Sequence, residues 1–269
     1  MRPLGSLRRS RTRSVVRWLT LATVWAPTLV VGEPIAVRHP EGASRGFVNL
    51  SSMSGTVLAH GELIQWREKH VIASRLVFRF DDGSLYDETV RFTQDKVFRL
   101  QSYALEQHGP SFTESSTIEF DRSGTYRVHR KAGPDQKEER VSGTTDIPDD
   151  VTNGMTSILL KNLMPDASAT THLLAFTPDP VKLDLHLTPQ GDDPYWVGTE
   201  QESARRYQVT PAVPGIKGVF ATLIGKQPPT VHMWIAHGKA PLLVRFEGAL
   251  YAEGPPWRIE LGAPRWEKR

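Results

Sequence analysis

The chain has 269 residues, with 33 basic and 30 acidic side chains and no cysteine, which excludes a disulfide framework, a thiolate metal site and a lipid-anchored cysteine. Its basic character is local: Arg2, Arg8, Arg9, Arg11, Arg13 and Arg17 lie at the start, and without them 27 basic residues face 30 acidic ones, a net charge of −3. That balance lacks the clustered Lys and Arg that nucleic-acid recognition needs, so no nucleic-acid partner is expected.

The first element in chain order is an export signal. The first 32 positions hold no acidic residue, and the six arginines among them precede a 14-residue apolar run from Trp18 to Val31. A basic segment resists translocation while a short apolar one enters the export channel, which is the layout of a signal peptide. The run falls short of the roughly 20 residues that span a bilayer as a helix, and Pro27 interrupts it. Val30 and Gly32 stand at −3 and −1 of a cleavage site before Glu33. The pair Arg8-Arg9 lacks the apolar residues that follow a twin-arginine signal, so general secretion is expected. The organisation read from this is a signal peptide over 1–32, helical in its apolar part, and one β-rich domain over 33–269. The protein is expected to be periplasmic or secreted and soluble, with at most transient membrane contact; the sequence sets no oligomeric state.

From Gly55 onward the pattern is that of antiparallel sheet. Arg75–Phe80 and Leu85–Phe92 are β-rich runs around Asp81-Asp82-Gly83-Ser84, where Gly supplies the positive φ of a tight hairpin. Val97–Gln107 continues the meander, and Ile118–Phe120 with Thr125–Arg130 form a second hairpin around Asp121-Arg122-Ser123-Gly124. The charged stretch Lys131–Arg140 reads as an exposed hairpin tip.

The period then changes. Val151, Met155, Ile158, Leu159 and Leu163 recur at helical spacing, behind Asp146 as N-cap and with Asp149 and Asp150 at the positive end of the dipole. This predicts the principal helix of the domain, ended by Pro165. Strand character returns at Val181–Leu187, which alternates strictly with Lys182, Asp184 and His186 on the wet face. Ala204–Thr210, Val231–Ala236 and Leu242–Tyr251 are further strands, and the Pro- and Trp-rich stretch from Gly254 to Trp266 reads as an edge strand and tail. Trp234 reads as core and Trp196 as part of a loop. Roughly ten strands make a sheet too large to stay flat. The expected fold is therefore mainly β: a large curved antiparallel sheet, half-barrel or sandwich-like, with the helix packed on its concave face.

No chemical motif rises above the background of turns and caps. The nine histidines show no metal-ligand spacing, and the nearest pair, His232 and His237, would face opposite sides of a strand. The pairs Asp81-Asp82, Asp87-Glu88 and Asp149-Asp150 fit a turn, a hairpin shoulder and a helix start. Ser111 lacks a nucleophile elbow, and Gly225-Lys226 lacks the hydroxyl residue of a phosphate loop. No catalytic residue, metal or cofactor is therefore expected. Ile216–Ile224 is apolar and bounded by Pro214-Gly215 and Pro228-Pro229; it reads as a buried strand or short helix, or as a flap over a ligand cavity.

Several strings taken together carry a resemblance: Phe80–Ser84, Gln107–Phe112, Ile147–Asp150 with Asn153-Gly154, Gly225–Pro229, and Glu247–Tyr251 ahead of Gly254-Pro255. The set resembles an uncharacterised family of exported bacterial proteins, which implies an envelope location and no assigned activity. At the level of fold, a long antiparallel sheet with a helix in its hollow is similar to the half-barrels of periplasmic lipoprotein carriers. The functional expectation is a non-enzymatic envelope protein that binds an apolar ligand or a lipidated protein between sheet and helix, with Met155, Leu159, Val219, Phe220 and Leu223 as its greasy walls. The alternatives are an envelope hydrolase whose carboxylates, Asp82 and Asp87 with a histidine, converge in three dimensions, and a structural or interaction module.

Overall fold

The computed structural model describes residues 34–133, 135–177, 179–212, 230–251 and 253–262, and the backbone of 264–266. The signal helix expected over 1–32 lies outside these residues. The first half of the domain is a meander. The strands β1 (Ser44–Ser52), β2 (Val57–Glu68), β3 (Val71–Phe80), β4 (Leu85–Gln94), β5 (Phe98–His108), β6 (Ser115–Asp121), β7 (Thr125–Lys131) and β8 (Glu139–Thr144) pair in sequence order. Both expected hairpins form, with Gly83 at φ 85° and Gly124 at φ 88°. Asp82 and Asp121 accept the backbone N–H of the residue two further on, each at 2.8 Å, which fixes the turns locally.

The second half contributes β9 (Ala169–Thr177), β10 (Asp179–Val197), β11 (Glu200–Ala212), β12 (Val231–Ala236), β13 (Leu242–Gly248), β14 (Trp257–Leu261) and β15 (Pro264–Trp266). The two halves join where β14 pairs with β1, Ile259 opposite Leu50, so fifteen described strands make one antiparallel sheet. The sheet curves without closing: β8 is one end, and β9 and β15 share the outer edge of β10 at the other. This is the mainly β half-barrel expected.

The helix is a correction. The segment expected to be helical over Val151–Leu163 yields only α1 (Thr156–Leu160). Its first residues are committed elsewhere: the Thr152 N–H donates to the His172 carbonyl at 2.9 Å and the His172 N–H to the Asp150 carbonyl at 3.2 Å, a short parallel pairing with β9. Gly154 then turns the chain at φ 69°. Met155, not Asp146, occupies the N-cap position, with no side-chain cap. Helical periodicity survives because Met155, Ile158 and Leu159 still face one side.

Their side packs onto the first half of the sheet, in a core with Phe92, Phe98 and Leu100. Leu160 packs the other way, against Leu185, Leu187, Tyr207, Val209 and Ile235. The short helix is thus a plug between the two halves. A strap from Ile35 to His39 holds it: the strap bridges β5 through Phe98 N–H to Ile35 O at 3.2 Å, and Asn162 at the helix end accepts the Arg38 and His39 N–H groups at 2.8 and 2.7 Å.

β9 packs into the core with one face and lines the hollow with the other. Leu174 and Phe176 turn toward the first half, where the Phe176 ring stands 5.6 Å from those of Phe120 and Tyr126, while Leu173 and Ala175 face the hollow of the sheet. Its outer edge would expose unpaired peptide groups, and the segment 150–153 covers it. Asn153 completes that cover like a peptide group: its Nδ2 donates to the Leu174 carbonyl at 2.8 Å and its Oδ1 accepts the Leu174 N–H at 2.9 Å. Arg130 caps the next carbonyl, that of Phe176.

Trp196 is a second correction, since it lies in β10 and not in a loop. Pro189 and Pro194 made the stretch look like a break, but both fall where the outer edge of β10 is unpaired between β9 and β15, the place a strand tolerates proline. Trp234 is buried as expected, though on the convex face, in a separate cluster with Tyr195, Ala204, Ala236 and Val244.

Candidate functional site

The concave side of the sheet holds a cavity of about 1250 Å3. Alternation along each strand supplies its walls: Leu63 of β2 and Leu76 of β3 face each other in register, Leu173 and Leu183 do so across β9 and β10, and Met233 and Phe246 across β12 and β13, all bordering the cavity. The helix contributes the flank opposite to the one expected. Met155 and Leu159 are 1% and 3% exposed and belong to the core, whereas Gly154, Thr156, Ser157 and Lys161 border the cavity. Residues four apart share a helix face, so the same periodicity that marks Met155 and Leu159 as apolar assigns them to packing. Val219, Phe220 and Leu223, and the whole of Ile216–Ile224, lie outside the described residues.

The wall also carries charged residues, among them Arg38, Glu41, Lys161, Lys239, Arg245 and Glu260. Lys161 Nζ meets Glu41 Oε1 at 2.5 Å, with the two side chains 11% and 8% exposed. Glu88 differs. Tyr86, Glu88 and Val90 project from the same face of β4 into the cavity, while Asp87 points to the other face and binds Arg75. The cross-strand neighbours of Glu88 are Leu76 and Leu105. Tyr103, opposite Val90, donates its hydroxyl to Glu88 Oε1 at 2.9 Å, and the Tyr86 phenol is its second hydrogen-bonding neighbour.

Above this group the plug turn brings bare backbone. A Cβ on Gly154 would stand 3.2 Å from Val90 Cβ and 3.4 Å from Glu88 Cδ. Glu88 keeps some accessible surface, but it opens onto the cavity and protein surrounds the carboxyl. Burial therefore pushes its pKa up, and the bonds from Tyr103 and Tyr86 offset this only in part. Both phenols are held well above their ordinary 10, by burial first and then by the neighbouring carboxylate.

Sequence reasoning placed Glu88 in a hairpin shoulder. The signal that finds it is the set Tyr86, Glu88, Val90 and Phe92: three inward-facing apolar or aromatic positions with one acid among them.

The other carboxylates do not assemble a hydrolytic centre among the described residues. Asp82 accepts the Ser111 hydroxyl at 2.7 Å while the Ser111 N–H donates to Ser84 Oγ at 2.9 Å, which locks two turns together. Asp87 is on the convex face with Arg75. His172 stands between Asp150, at 2.6 Å from Nδ1, and Asp184, at 3.4 Å from Nε2. The nearby hydroxyls are engaged, Thr171 donating to Thr152 at 3.2 Å and Thr152 to the His172 carbonyl at 3.2 Å. This cluster ties the plug segment to β9 and β10. His186 is exposed, as its place on the wet face implies.

Fold and site together define an open antiparallel β half-barrel with a plugged hollow and an apolar internal cavity. No protein-family model matches the chain, and no curated protein matches it. Among solved structures it is similar to a β-barrel-like protein of a domain of unknown function, DUF1849, from Brucella abortus. The two are 9% identical, the match covers 88% of this chain and 100% of the other, and the TM-score is 0.40.

Proposed function

We propose that this protein is an exported, non-enzymatic component of the bacterial envelope that holds an apolar ligand, a lipid or the acyl chain of a lipidated protein, in its concave cavity. The observation that carries the reading is the cavity itself: about 1250 Å3, with a wall whose surface is largely apolar and in which leucines and valines recur. Ligand pockets for small molecules run from about 300 to 1000 Å3, so this one has room for a long chain. An open apolar hollow of this size leaves its wall facing water, and an apolar occupant would bury that surface.

The export signal over 1–32 and the resemblance of the turn and cap strings to an exported bacterial family support the location. A filled core with an exposed apolar patch would have favoured an interaction module instead.

The test is native purification followed by mass spectrometry of an organic extract. A lipid recovered at about one equivalent per chain is the expected result. An extract empty of amphiphiles, from protein that also fails to bind added fatty chains, rejects the reading.

A further inference from the structure

We propose that Glu88 is the headgroup anchor of the cavity and that the occupant is a long-chain ammonium amphiphile. This rests on the reading of the cavity as a lipid site and adds the chemistry of the ligand's polar end.

The argument begins from partners. Among the described residues two acids are almost fully enclosed, and each has a basic neighbour within the chain, Glu41 with Lys161 and Asp150 with His172. Glu88 has no ion pair among the described residues, and its enclosure is apolar: Leu76, Leu105 and Val90 beside it, the Gly154 backbone above it and the cavity in front. A carboxylate in such surroundings is costly unless something pairs with it. The two groups that do reach it, Tyr103 and Tyr86, are neutral phenols with one O–H each. Once those protons are given to the carboxylate, what the cluster still presents is acceptors alone: the remaining lone pairs of Glu88 and those of two phenol oxygens.

The complement of a cluster of acceptors with one negative charge is a cation with several donors, and an ammonium carries three N–H bonds and that charge. Such a bond is charge-assisted and gains strength in a low-dielectric enclosure. The leucine walls described above receive the alkyl chain. A carboxylate- or phosphate-ended lipid would instead bring a second negative charge to a group that has no ion pair among the described residues.

The test compares two probes of equal chain length, dodecylammonium and dodecanol, by titration calorimetry below their self-association limits at about pH 8, where an alkylammonium remains charged. Wild-type protein is expected to prefer the ammonium by about tenfold or more, the difference between a charge-assisted and a neutral hydrogen bond. Glu88→Gln keeps the side-chain size and an oxygen for Tyr103, and is expected to bring the two affinities within about threefold by removing only the charge.

Should that variant not fold, wild-type protein decides alone. Lowering the pH from about 8 to about 4.5 should weaken the ammonium and leave the alcohol unchanged, because the other titratable groups facing Glu88, Tyr86 of β4 and Tyr103 of β5, stay neutral throughout. Equal affinities in wild type, an ammonium preference that survives Glu88→Gln, or a preference indifferent to pH overturns the assignment of Glu88 while leaving the cavity reading in place. Binding of neither probe to folded protein overturns both.

Discussion

Asn153→Ala isolates the device that joins the plug to the edge of β9. The side-chain amide of Asn153 takes the place of a neighbouring strand for one residue, bonding both peptide groups of Leu174 at 2.8 and 2.9 Å. Asn153 and Leu174 are 6% and 4% exposed, so water does not replace the lost amide without opening the structure. Leaving a buried donor or acceptor unmet costs about 1–3 kcal/mol each, and two such groups with partial relaxation give a loss of about 2–4 kcal/mol. For a domain of this size each kcal/mol moves the melting temperature by about 2–4 °C, so the midpoint should fall by about 5–15 °C.

The assay is thermal and urea unfolding, with hydrogen exchange of the Leu174 amide as the local readout. Asn153→Asp should fall between wild type and alanine, since it accepts the Leu174 N–H but repels the carbonyl. Thr152→Val, which removes two longer side-chain bonds, one to the His172 carbonyl and one from the Thr171 hydroxyl, each at 3.2 Å, and leaves the Leu174 peptide groups paired, should leave exchange at Leu174 unchanged. A loss below about 0.5 kcal/mol, within the range of ordinary surface substitutions, together with unchanged exchange at Leu174, would refute the claim that this amide closes the edge of the sheet.

Leu63→Trp puts a large side chain into the cavity from the middle of β2; the protein should stay folded by circular dichroism yet retain no amphiphile, and full retention would place the ligand elsewhere. In Gly61→Ala the new methyl would stand 2.3 Å from the Val77 carbonyl oxygen and 2.5 Å from the Phe78 ring. β2 and β3 must then part, and urea titration should show a loss of about 1–3 kcal/mol, the usual cost of overpacking; an unchanged midpoint would contradict the tight contact.

Glu88→Gln should alter how stability depends on pH in ligand-free protein. The folded carboxyl titrates above its ordinary 4.5, so between that value and its raised folded pKa the native state holds the extra proton, and wild-type stability falls as pH rises through this window. The variant should gain on wild type across it and show no gain below about pH 4, where both forms of the glutamate are protonated. A gain that persists unchanged at pH 3 would trace to packing instead of charge.

The alternation of β3, β4, β5, β10 and β12, and the Gly-bearing turns at Gly83 and Gly124, were legible because one residue type per position suffices to state them. β9 was not. Ala169–Thr177 shows no clean period of two, since Thr170, Thr171 and His172 precede the run Leu173–Phe176; one face is covered by residues more than forty positions away in β6 and β7, and the other turns to the hollow. β1 escaped for the opposite reason: Ser44–Ser52 is rich in Ser, Asn and Gly, and it is a strand because β2 and β14 hold it from both sides. The helix was legible in position and misjudged in length, since the peptide groups of Asp150 and Thr152 bond to β9 and not to their own turn. Met155 and Leu159 were expected to wall the ligand cavity, but a plug between two half-sheets has core on one flank and cavity on the other, and they lie on the core flank.

By itself, then, the sequence determined a mainly β domain with its hairpins, because these depend on residues near one another in the chain. Only the tertiary structure decided that β14 joins β1, that the hollow stays open, and that Glu88 ends in it beside Tyr86 and Tyr103 with no ion pair among the described residues. Those outcomes depend on pairings between distant strands, and a carboxylate's partners, unlike its strand, are not written next to it.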